Sequence, residues 1–248
     1  MTLNMTGIQM KQTNPRETYN AMADRYTEHS NHGAYNAYYE RPAMLQLLGD
    51  VKGLSILDVG CGDGTYSSIL LENGAQEIFG FDISENMLAL AQDKVGDRVQ
   101  LHHASLEDTL DFIPNDHFDR IICPLMMHYV ADWERAFIKL NTKLKSNGLL
   151  LFSTGHPMDD FRFSQSKNYF TTELIEEDWK SLNVIVKTYR RPLSEIFRSF
   201  HAAGFVLDQL VEPKPLASLE EINPTTYHRL STLPAFICFR LRKQVFRD

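Results

Sequence analysis

Residues 55–65, Ser-Ile-Leu-Asp-Val-Gly-Cys-Gly-Asp-Gly-Thr, restrict the fold of this chain more than any other segment. The apolar run at 55–59 predicts a buried strand, which leads directly into alternating glycines and then into an amphipathic stretch. Glycines at such a turn let the chain reverse sharply and let a ligand lie against bare backbone at the start of the next helix. The segment predicts a strand–loop–helix unit with a ligand-binding loop, although an ordinary βα turn is the alternative.

Short apolar runs alternate with amphipathic stretches along the rest of the chain, a pattern typical of α/β architecture. Strands are predicted at 55–59, 77–82, 99–103, 118–123, 148–153, 205–210 and 236–242. Helices are predicted at 64–73, 84–95, 132–144 and 192–203. The first five strands imply a parallel sheet with helices on both faces.

The chain is expected to form one domain over residues 1–248, with a helical segment at 14–50 and a ligand-binding core at 51–155. The first helix is predicted to begin at Asn14-Pro15, because asparagine caps helices and proline suits the first helical position. At 156–191 the pattern loosens and predicts a cap insertion, and 192–248 is expected to complete the sheet. The stretch between the last two strands is predicted to be a loop.

The charge balance argues against a nucleic-acid partner, because 32 acidic residues outnumber 25 Lys and Arg and the net charge is −7. No run of roughly 18 apolar residues predicts a membrane span, so we expect a cytoplasmic protein. Three scattered cysteines and nine scattered histidines lack the spacing of metal ligands. We predict no metal site.

Asp82 ends the second strand about 22 residues after Gly60, where a carboxylate accepts hydrogen bonds from ribose hydroxyls in dinucleotide folds. The glycine loop and Asp82 together predict a nucleoside cofactor, although an isolated aspartate at the end of a strand is often only a helix cap. A nicotinamide site usually has its third glycine one residue later than Gly64. Asp58 would repel a pyrophosphate but attract an amino group, so the loop favours a cationic, phosphate-free cofactor.

Four segments of the sequence resemble the motifs of a known family. The segments Leu-Asp-Val-Gly-Cys-Gly-Asp-Gly-Thr (57–65), Gly-Phe-Asp-Ile-Ser-Glu-Asn-Met (80–87), Phe-Asp-Arg-Ile-Ile-Cys (118–123) and Met-His-Tyr-Val (127–130) are similar to the successive motifs of class I S-adenosylmethionine-dependent methyltransferases. Within them the chain is most similar to the small-molecule group with ubiquinone/menaquinone-biosynthesis and malonyl-carrier-protein enzymes. The resemblance implies a Rossmann-like, seven-stranded, mostly parallel sheet with a small cap after the fifth strand.

The resemblance also implies roles for individual residues in binding S-adenosylmethionine. Asp58, Gly60 and Gly62, with Cys61 between the glycines, are expected to hold the methionine part. Asp82 is expected to hold the ribose.

The remaining implied contacts surround the adenine and the methyl group. Ile83 and Met87 are expected to border the adenine, and Ser105 and Leu106 match the positions that usually read its edge. The residues expected to face the methyl group or to close over the cofactor are Cys123, Pro124, Tyr19 and Tyr26.

The reaction that the resemblance implies needs a nucleophile aligned with an activated methyl group and protected from water. A base is needed only for a protonated nucleophile, and the candidates are His128 and His156, which follow the fourth and fifth strands; both are alternatively structural. Aromatic residues of the cap are expected to line an acceptor pocket, or alternatively to pack the cap against the sheet. The cations expected to bind an anionic acceptor, or else to lie on the surface, are Arg162, Lys167, Arg190 and Arg191.

The sequence therefore predicts an enzyme that methylates an O, N or C nucleophile of a small-molecule acceptor, with S-adenosylmethionine as cofactor. The alternatives are a tRNA-modifying methyltransferase, a non-catalytic S-adenosylmethionine-binding protein and a nicotinamide oxidoreductase. The sequence predicts no oligomeric state.

Overall fold

A seven-stranded sheet forms the centre of the computed structural model, which describes residues 14–244. The strands of the whole fold are β1 Ser55–Val59, β2 Glu77–Asp82, β3 Gln100–His103, β4 Phe118–Cys123, β5 Leu144–Gly155, β6 Glu173–Trp179, β7 Val184–Arg190, β8 Phe205–Val211 and β9 Phe236–Lys243. The central sheet has the order β3-β2-β1-β4-β5-β9-β8. Its first five strands are parallel and β9 is antiparallel to both neighbours. The predicted seven-stranded, mostly parallel sheet is confirmed.

Helices cover both faces of this sheet, as predicted. They are α1 Pro15–His32, α2 Arg41–Leu48, α3 Thr65–Glu72, α4 Glu85–Val95, α5 Trp133–Lys143, α6 Pro157–Asp160, α7 Leu193–Ala202, α8 Ser218–Ile222 and α9 Pro224–Thr232. On one face, side chains of α2, α3 and α4 form a buried cluster with Ile56 and Ile78 of the sheet. On the other, α5 and α7 bury Phe137 and Phe200 against Phe152. The sheet is therefore packed between two apolar layers. The loops that follow the parallel strands lie at its carboxyl edge.

The helix starts follow from local capping. The side chain of Asn14 accepts a hydrogen bond from the backbone N–H of Glu17 at 2.9 Å, and Pro15 occupies the first turn. Ser84 and Asp132 cap α4 and α5 through the same kind of bond. Each side chain satisfies a backbone donor that the helix itself leaves free. The predicted starts of these helices are confirmed.

Three predicted segments differ from the structure. Strand β5 is longer than the predicted 148–153, because its pairing with β4 extends through an irregular register back to Leu144. The cap contains an antiparallel hairpin of β6 and β7, which the sequence does not predict. Aromatic and charged residues follow each other closely there, so the sequence shows no clear alternation of apolar and polar residues. The predicted loop before β9 holds α8 and α9, and α9 begins with Asn223-Pro224, the same signal that opens α1.

The predicted domain of residues 1–248 includes 1–13 and 245–248, which lie outside the described residues. Within 14–244, no helix has the combination of length and apolar sequence required to cross a membrane.

Candidate functional site

A cavity of about 320 Å³ opens at the carboxyl edge of the sheet, beside β1 and beneath the start of α1. Its place is where the chain order reverses, because β1 pairs with β2 on one side and β4 on the other. Ligands of open α/β sheets bind at such switch points. The predicted residues that line this cofactor cavity are Tyr19, Tyr26, Gly60, Gly62, Asp82, Ile83, Met87, Ser105, Leu106 and Pro124.

The glycine loop after β1 brings bare backbone to the cavity. Gly60 and Gly62 have φ of +70° and +55°, a left-handed conformation that favours glycine. A Cβ on Gly60 would lie 2.8 Å from the Cβ of Met126. The backbone N–H groups of Gly60 and Cys61 both donate to the carbonyl of Phe81, at 2.9 and 3.0 Å, so β2 holds the loop.

Asp82 places a carboxylate at the end of β2. Its two oxygens accept backbone N–H bonds from Gly62 and Ser84, each at 2.9 Å. Burial raises the pKa of Asp82 above its usual value, while these bonds oppose the shift. A carboxylate has about four lone-pair sites, so acceptor capacity remains for a ligand in the cavity.

Asp58 lies beneath the glycine loop and is 1% exposed. One of its oxygens accepts a hydrogen bond from the Ser67 hydroxyl at 2.7 Å, and Oδ1 has no partner among the described residues. Burial, together with the negative charges of Asp82 and Asp63, raises the pKa of Asp58 to about 7. Cationic ligand groups are therefore stabilised near this loop, whereas a phosphate would be repelled.

Asp58 does not line the cofactor cavity, and neither do two other predicted residues. Cys61 packs beneath Gly80, with its Sγ 3.2 Å from the position of a Cβ at that glycine. Cys123 is fully buried in the core below the sheet edge. Pro124, the first residue after β4, lines the cavity, whereas Cys123 packs into the core cluster.

A second cavity of about 440 Å³ adjoins the first. The two share Tyr19, Tyr26 and Leu125 as lining residues. The second cavity is bounded by α1, α6, the hairpin, the end of β5 and the start of β9. It is called the acceptor chamber below, after the acceptor pocket that the sequence predicts beside the cap. Its aromatic walls are formed by Tyr35, Phe163, Trp179 and Phe236.

The shared wall is a cluster of neutral phenols. The hydroxyls of Tyr19 and Tyr129 are 2.9 Å apart, and the Tyr19 and Tyr26 rings meet edge to face with centroids 5.1 Å apart. Tyr26 also stacks on Trp179 of the hairpin. Burial raises the pKa of Tyr26 to about 12 and that of Tyr19 well above its usual value. Tyr19 and Tyr26 present hydroxyl dipoles and apolar rings, and no negative charge, to both cavities, whereas Tyr129 lines the first cavity.

The two predicted histidines occupy different places. His128 lines the acceptor chamber, and burial with the nearby Arg191 charge lowers its pKa to about 4, so it is neutral at pH 7. His156 lines neither cavity. Its Nδ1 accepts the backbone N–H of Met158 at 3.2 Å, and its Nε2 lies 2.9 Å from a carboxylate oxygen of Glu212. Nδ1 of His156 therefore caps the start of α6, and Nε2 links it to the segment after β8.

Two of the predicted surface cations are structural. Arg190 is fully buried, forms an ion pair with Glu173 and donates to backbone carbonyls. Arg191 is also buried and donates to the carbonyl of Val130 at 2.8 Å. The prediction that they lie on the surface or bind an acceptor is wrong, because long-range packing buries them. Arg162 does line the acceptor chamber, 3.2 Å from Asp159.

Several chamber residues carry no signal in the sequence. Leu125 has φ of +48° and separates the two cavities, and Asp160 lies against the glycine that ends β5. Neither belongs to a local motif.

Among residues 14–244, no three His, Cys, Asp or Glu side chains are grouped to hold a metal ion.

Comparison with known proteins points to one family. A family model described as a methyltransferase domain matches residues 57–152. An uncharacterised protein of Haemophilus influenzae is 32% identical over 227 residues, which cover 84% of this chain and 88% of that protein. The crystal structure of an S-adenosylmethionine-dependent methyltransferase from Mesorhizobium loti has a TM-score of 0.71 and 27% identity, covering 82% of this chain and 97% of the other.

A relative named for its reaction matches over a shorter stretch. Malonyl-[acyl-carrier protein] O-methyltransferase 2 of Ilyobacter polytropus is 32% identical over 101 residues, which are 40% of this chain and 39% of that protein. The match spans less than half of that enzyme.

Proposed function

The chain belongs to the class I S-adenosylmethionine-dependent methyltransferases, and we propose that it methylates a small-molecule acceptor bound in the acceptor chamber. The observation that carries this proposal is the shared wall of Tyr19, Tyr26 and Leu125 between two cavities. A methyl donor in one cavity and a nucleophile in the other would meet there. Holding both reactants in such an arrangement supplies much of the rate acceleration of a displacement reaction.

The residues around the first cavity fit S-adenosylmethionine, whose sulfonium supplies an activated methyl group. We propose that the carboxylate of Asp82 accepts hydrogen bonds from the ribose hydroxyls. The backbone of Gly60 and Gly62 is proposed to border the methionine part. The orphaned oxygen of Asp58 and its buried negative charge favour a cationic amino group nearby. The apolar positions proposed to contact the adenine are Ile83, Met87 and Leu106, with Ser105 at its edge.

Residues of the acceptor chamber are proposed to orient the acceptor and to exclude water. His128 is neutral at pH 7, so its role is to donate or accept a hydrogen bond rather than to carry a charge. The phenols of Tyr19 and Tyr26 keep the junction free of negative charge. We propose that the cap at 156–191 and the helical segment at 14–50 close the two cavities over the reaction.

The small-molecule assignment has independent support in the size of the chamber. Its volume of about 440 Å³ lies in the range of pockets for compact ligands. The excess of acidic residues, 32 against 25 Lys and Arg, disfavours a tRNA acceptor.

The proposal is tested by separating cofactor binding from transfer. We expect S-adenosylhomocysteine to bind in calorimetry and a radiolabelled methyl group to pass to a member of a metabolite panel. Phe163→Ala removes a wall of the acceptor chamber only, so it should raise the acceptor KM and leave S-adenosylhomocysteine affinity within about twofold. Phe197→Ala on the exposed face of α7 is the control.

Two results would contradict the proposal. Binding of NAD with no binding of S-adenosylhomocysteine would exclude the cofactor assignment. Tight binding of S-adenosylhomocysteine with no transfer to any panel member would indicate a non-catalytic binding protein.

A further inference from the structure

Asp160 occupies a special position in the acceptor chamber. It ends α6, lines the chamber and packs its carboxylate over Gly155, the last residue of β5. A Cβ on Gly155 would lie 2.6 Å from Oδ1 of Asp160. The carboxylate therefore packs against the end of β5 on one side and borders the chamber on another.

The cations around Asp160 are engaged elsewhere. Arg162 lies 3.2 Å from Asp159 and 3.8 Å from Glu177. Arg190 pairs with Glu173 at 3.2 Å, and Arg229 pairs with Asp159. Within the part of the chain that the structure describes, no side chain or backbone group donates a hydrogen bond to the Asp160 carboxylate. This carboxylate is available to a ligand.

The local charge favours a positive ligand. Burial, together with the negative charges of Asp159 and Glu177, raises the pKa of Asp160 to about 7, and the positive charges of Arg162 and Arg190 oppose part of this shift. A positive group beside it would offset both effects and favour the ionised carboxylate. The charged residues lining the chamber are four acids and two bases: Asp159, Asp160, Glu177, Asp178, Arg162 and Lys180. Arg229 pairs with Asp159 from outside the lining, so four acids face three bases and the net charge around the chamber is negative.

The aromatic walls suit the same kind of ligand. Tyr35, Trp179 and Phe236 line the chamber together with Asp160. Aromatic faces attract cations electrostatically, and their apolar area binds the carbon skeleton of an organic amine. Neutral His128 adds no competing positive charge.

We infer that Asp160 binds a protonated amine of the acceptor, so that the chamber selects organic amines over carboxylate or phosphate acceptors of similar size. This inference rests on the proposed function, because it assigns the class of the molecule that the acceptor chamber holds. It concerns recognition, and the amine is either the methylated group or a neighbouring anchor.

The experiment compares three probes of similar shape, titrated by calorimetry into the protein saturated with S-adenosylhomocysteine. Tyramine carries a positive charge, 4-ethylphenol is neutral and 4-hydroxyphenylacetate is negative. We expect tyramine to bind about tenfold or more tightly than 4-hydroxyphenylacetate, with 4-ethylphenol between them. Asp160→Asn should abolish this order, Asp160→Glu should restore part of it, and Asp93→Asn on the exposed surface of α4 should keep it.

The inference is overturned if the negative probe binds as tightly as tyramine, or if folded Asp160→Asn retains the preference. Circular dichroism of each variant establishes that it is folded, and Asp160→Glu supplies the test if Asp160→Asn does not fold. Methyl transfer to an anionic acceptor would also overturn the inference while leaving the methyltransferase function intact. Failure to bind S-adenosylhomocysteine would instead count against the proposed function.

Discussion

The carboxylate of Glu40 accepts a 2.5 Å hydrogen bond from the hydroxyl of Ser153, and both side chains are buried. Ser153 in turn accepts the backbone N–H of Leu125 at 2.9 Å, and Tyr66 donates to the other Glu40 oxygen at 2.9 Å. Glu40 ends a π-helical turn at Asn36–Glu40, just before α2. The N-terminal segment thus holds Leu125, the left-handed residue between the two cavities. Such a buried, satisfied network stabilises one arrangement of the loop.

Glu40→Gln should loosen this loop, because one of the two hydroxyl donors would then face an amide N–H₂. We expect unfolding free energy to fall by about 1–3 kcal/mol and kcat to fall with little change in S-adenosylhomocysteine affinity. Thermal unfolding and steady-state kinetics measure the two effects. Tyr66→Phe is the matched control, since it removes a donor to Glu40 but keeps the link from Ser153 to Leu125. Equal loss of kcat in both variants would argue against a positioning role for Glu40.

Gly60→Ala should disrupt the cofactor loop. Gly60 and Gly96 have φ of +70° and +60°, but only at Gly60 does a Cβ meet another residue, the Met126 side chain at 2.8 Å. Alanine at a positive φ costs about 1 kcal/mol or more of backbone strain, and the strain is larger at Gly96, whose ψ is −150°. Only at Gly60 is a contact with another side chain added, and Gly96 lies outside the cofactor cavity. We expect S-adenosylhomocysteine affinity to fall about tenfold or more in Gly60→Ala, with Gly96→Ala close to wild type. Calorimetry at matched folded fractions decides, and equal affinities would show that the loop tolerates a side chain.

Asp82→Ala tests the proposed ribose contact. Loss of charge-assisted hydrogen bonds should weaken S-adenosylhomocysteine binding by about 1–3 kcal/mol. The same carboxylate holds the N–H groups of Gly62 and Ser84, so the loss includes some loop disorder. S-adenosylhomocysteine and its 2′-deoxy analogue should therefore be compared: wild type should prefer the ribose form, and Asp82→Ala should lose most of that preference. An unchanged preference would exclude the ribose assignment.

The buried Asp58 predicts a pH dependence of both stability and binding. Its pKa is about 7 in the folded protein, against about 3.9 in an unfolded chain. Protonation therefore favours the folded state, and this stabilisation is complete below about pH 4 and is lost as the pH rises through about 7. Asp58→Asn should raise the Tm of the unliganded protein at pH 8 and change it less at pH 5. The gain at pH 8 is roughly 2–4 °C for each kcal/mol recovered.

Binding should show the opposite trend with pH. The ionised form of Asp58 attracts the cationic amino group proposed to lie near it, so wild-type affinity for S-adenosylhomocysteine should increase from pH 6 to pH 8. Asp58→Asn should flatten that profile. Calorimetry at the two pH values provides the measurement, and a flat wild-type profile would contradict the proposed contact.

Local signals in the sequence determined much of this protein. The bounds of β1, β2 and β4 and the caps at Asn14 and Ser84 follow from residues only a few positions apart, so they were predictable. The glycine loop and Asp82 were predictable as well, because each directly follows or ends a predicted strand. The carboxyl ends of parallel strands lie together at one edge of the sheet.

Tertiary structure alone decided the rest. Distant packing buries Arg190, turns Cys123 into the core, and folds the cap hairpin against Tyr26 of α1. Asp160 acquires its raised pKa from burial and from charges on α6 and β6. Burial and electrostatic interaction depend on which distant segments pack together, and no window of neighbouring residues records that. The cofactor loop is therefore visible in the sequence, whereas the acceptor chamber exists only in the folded chain.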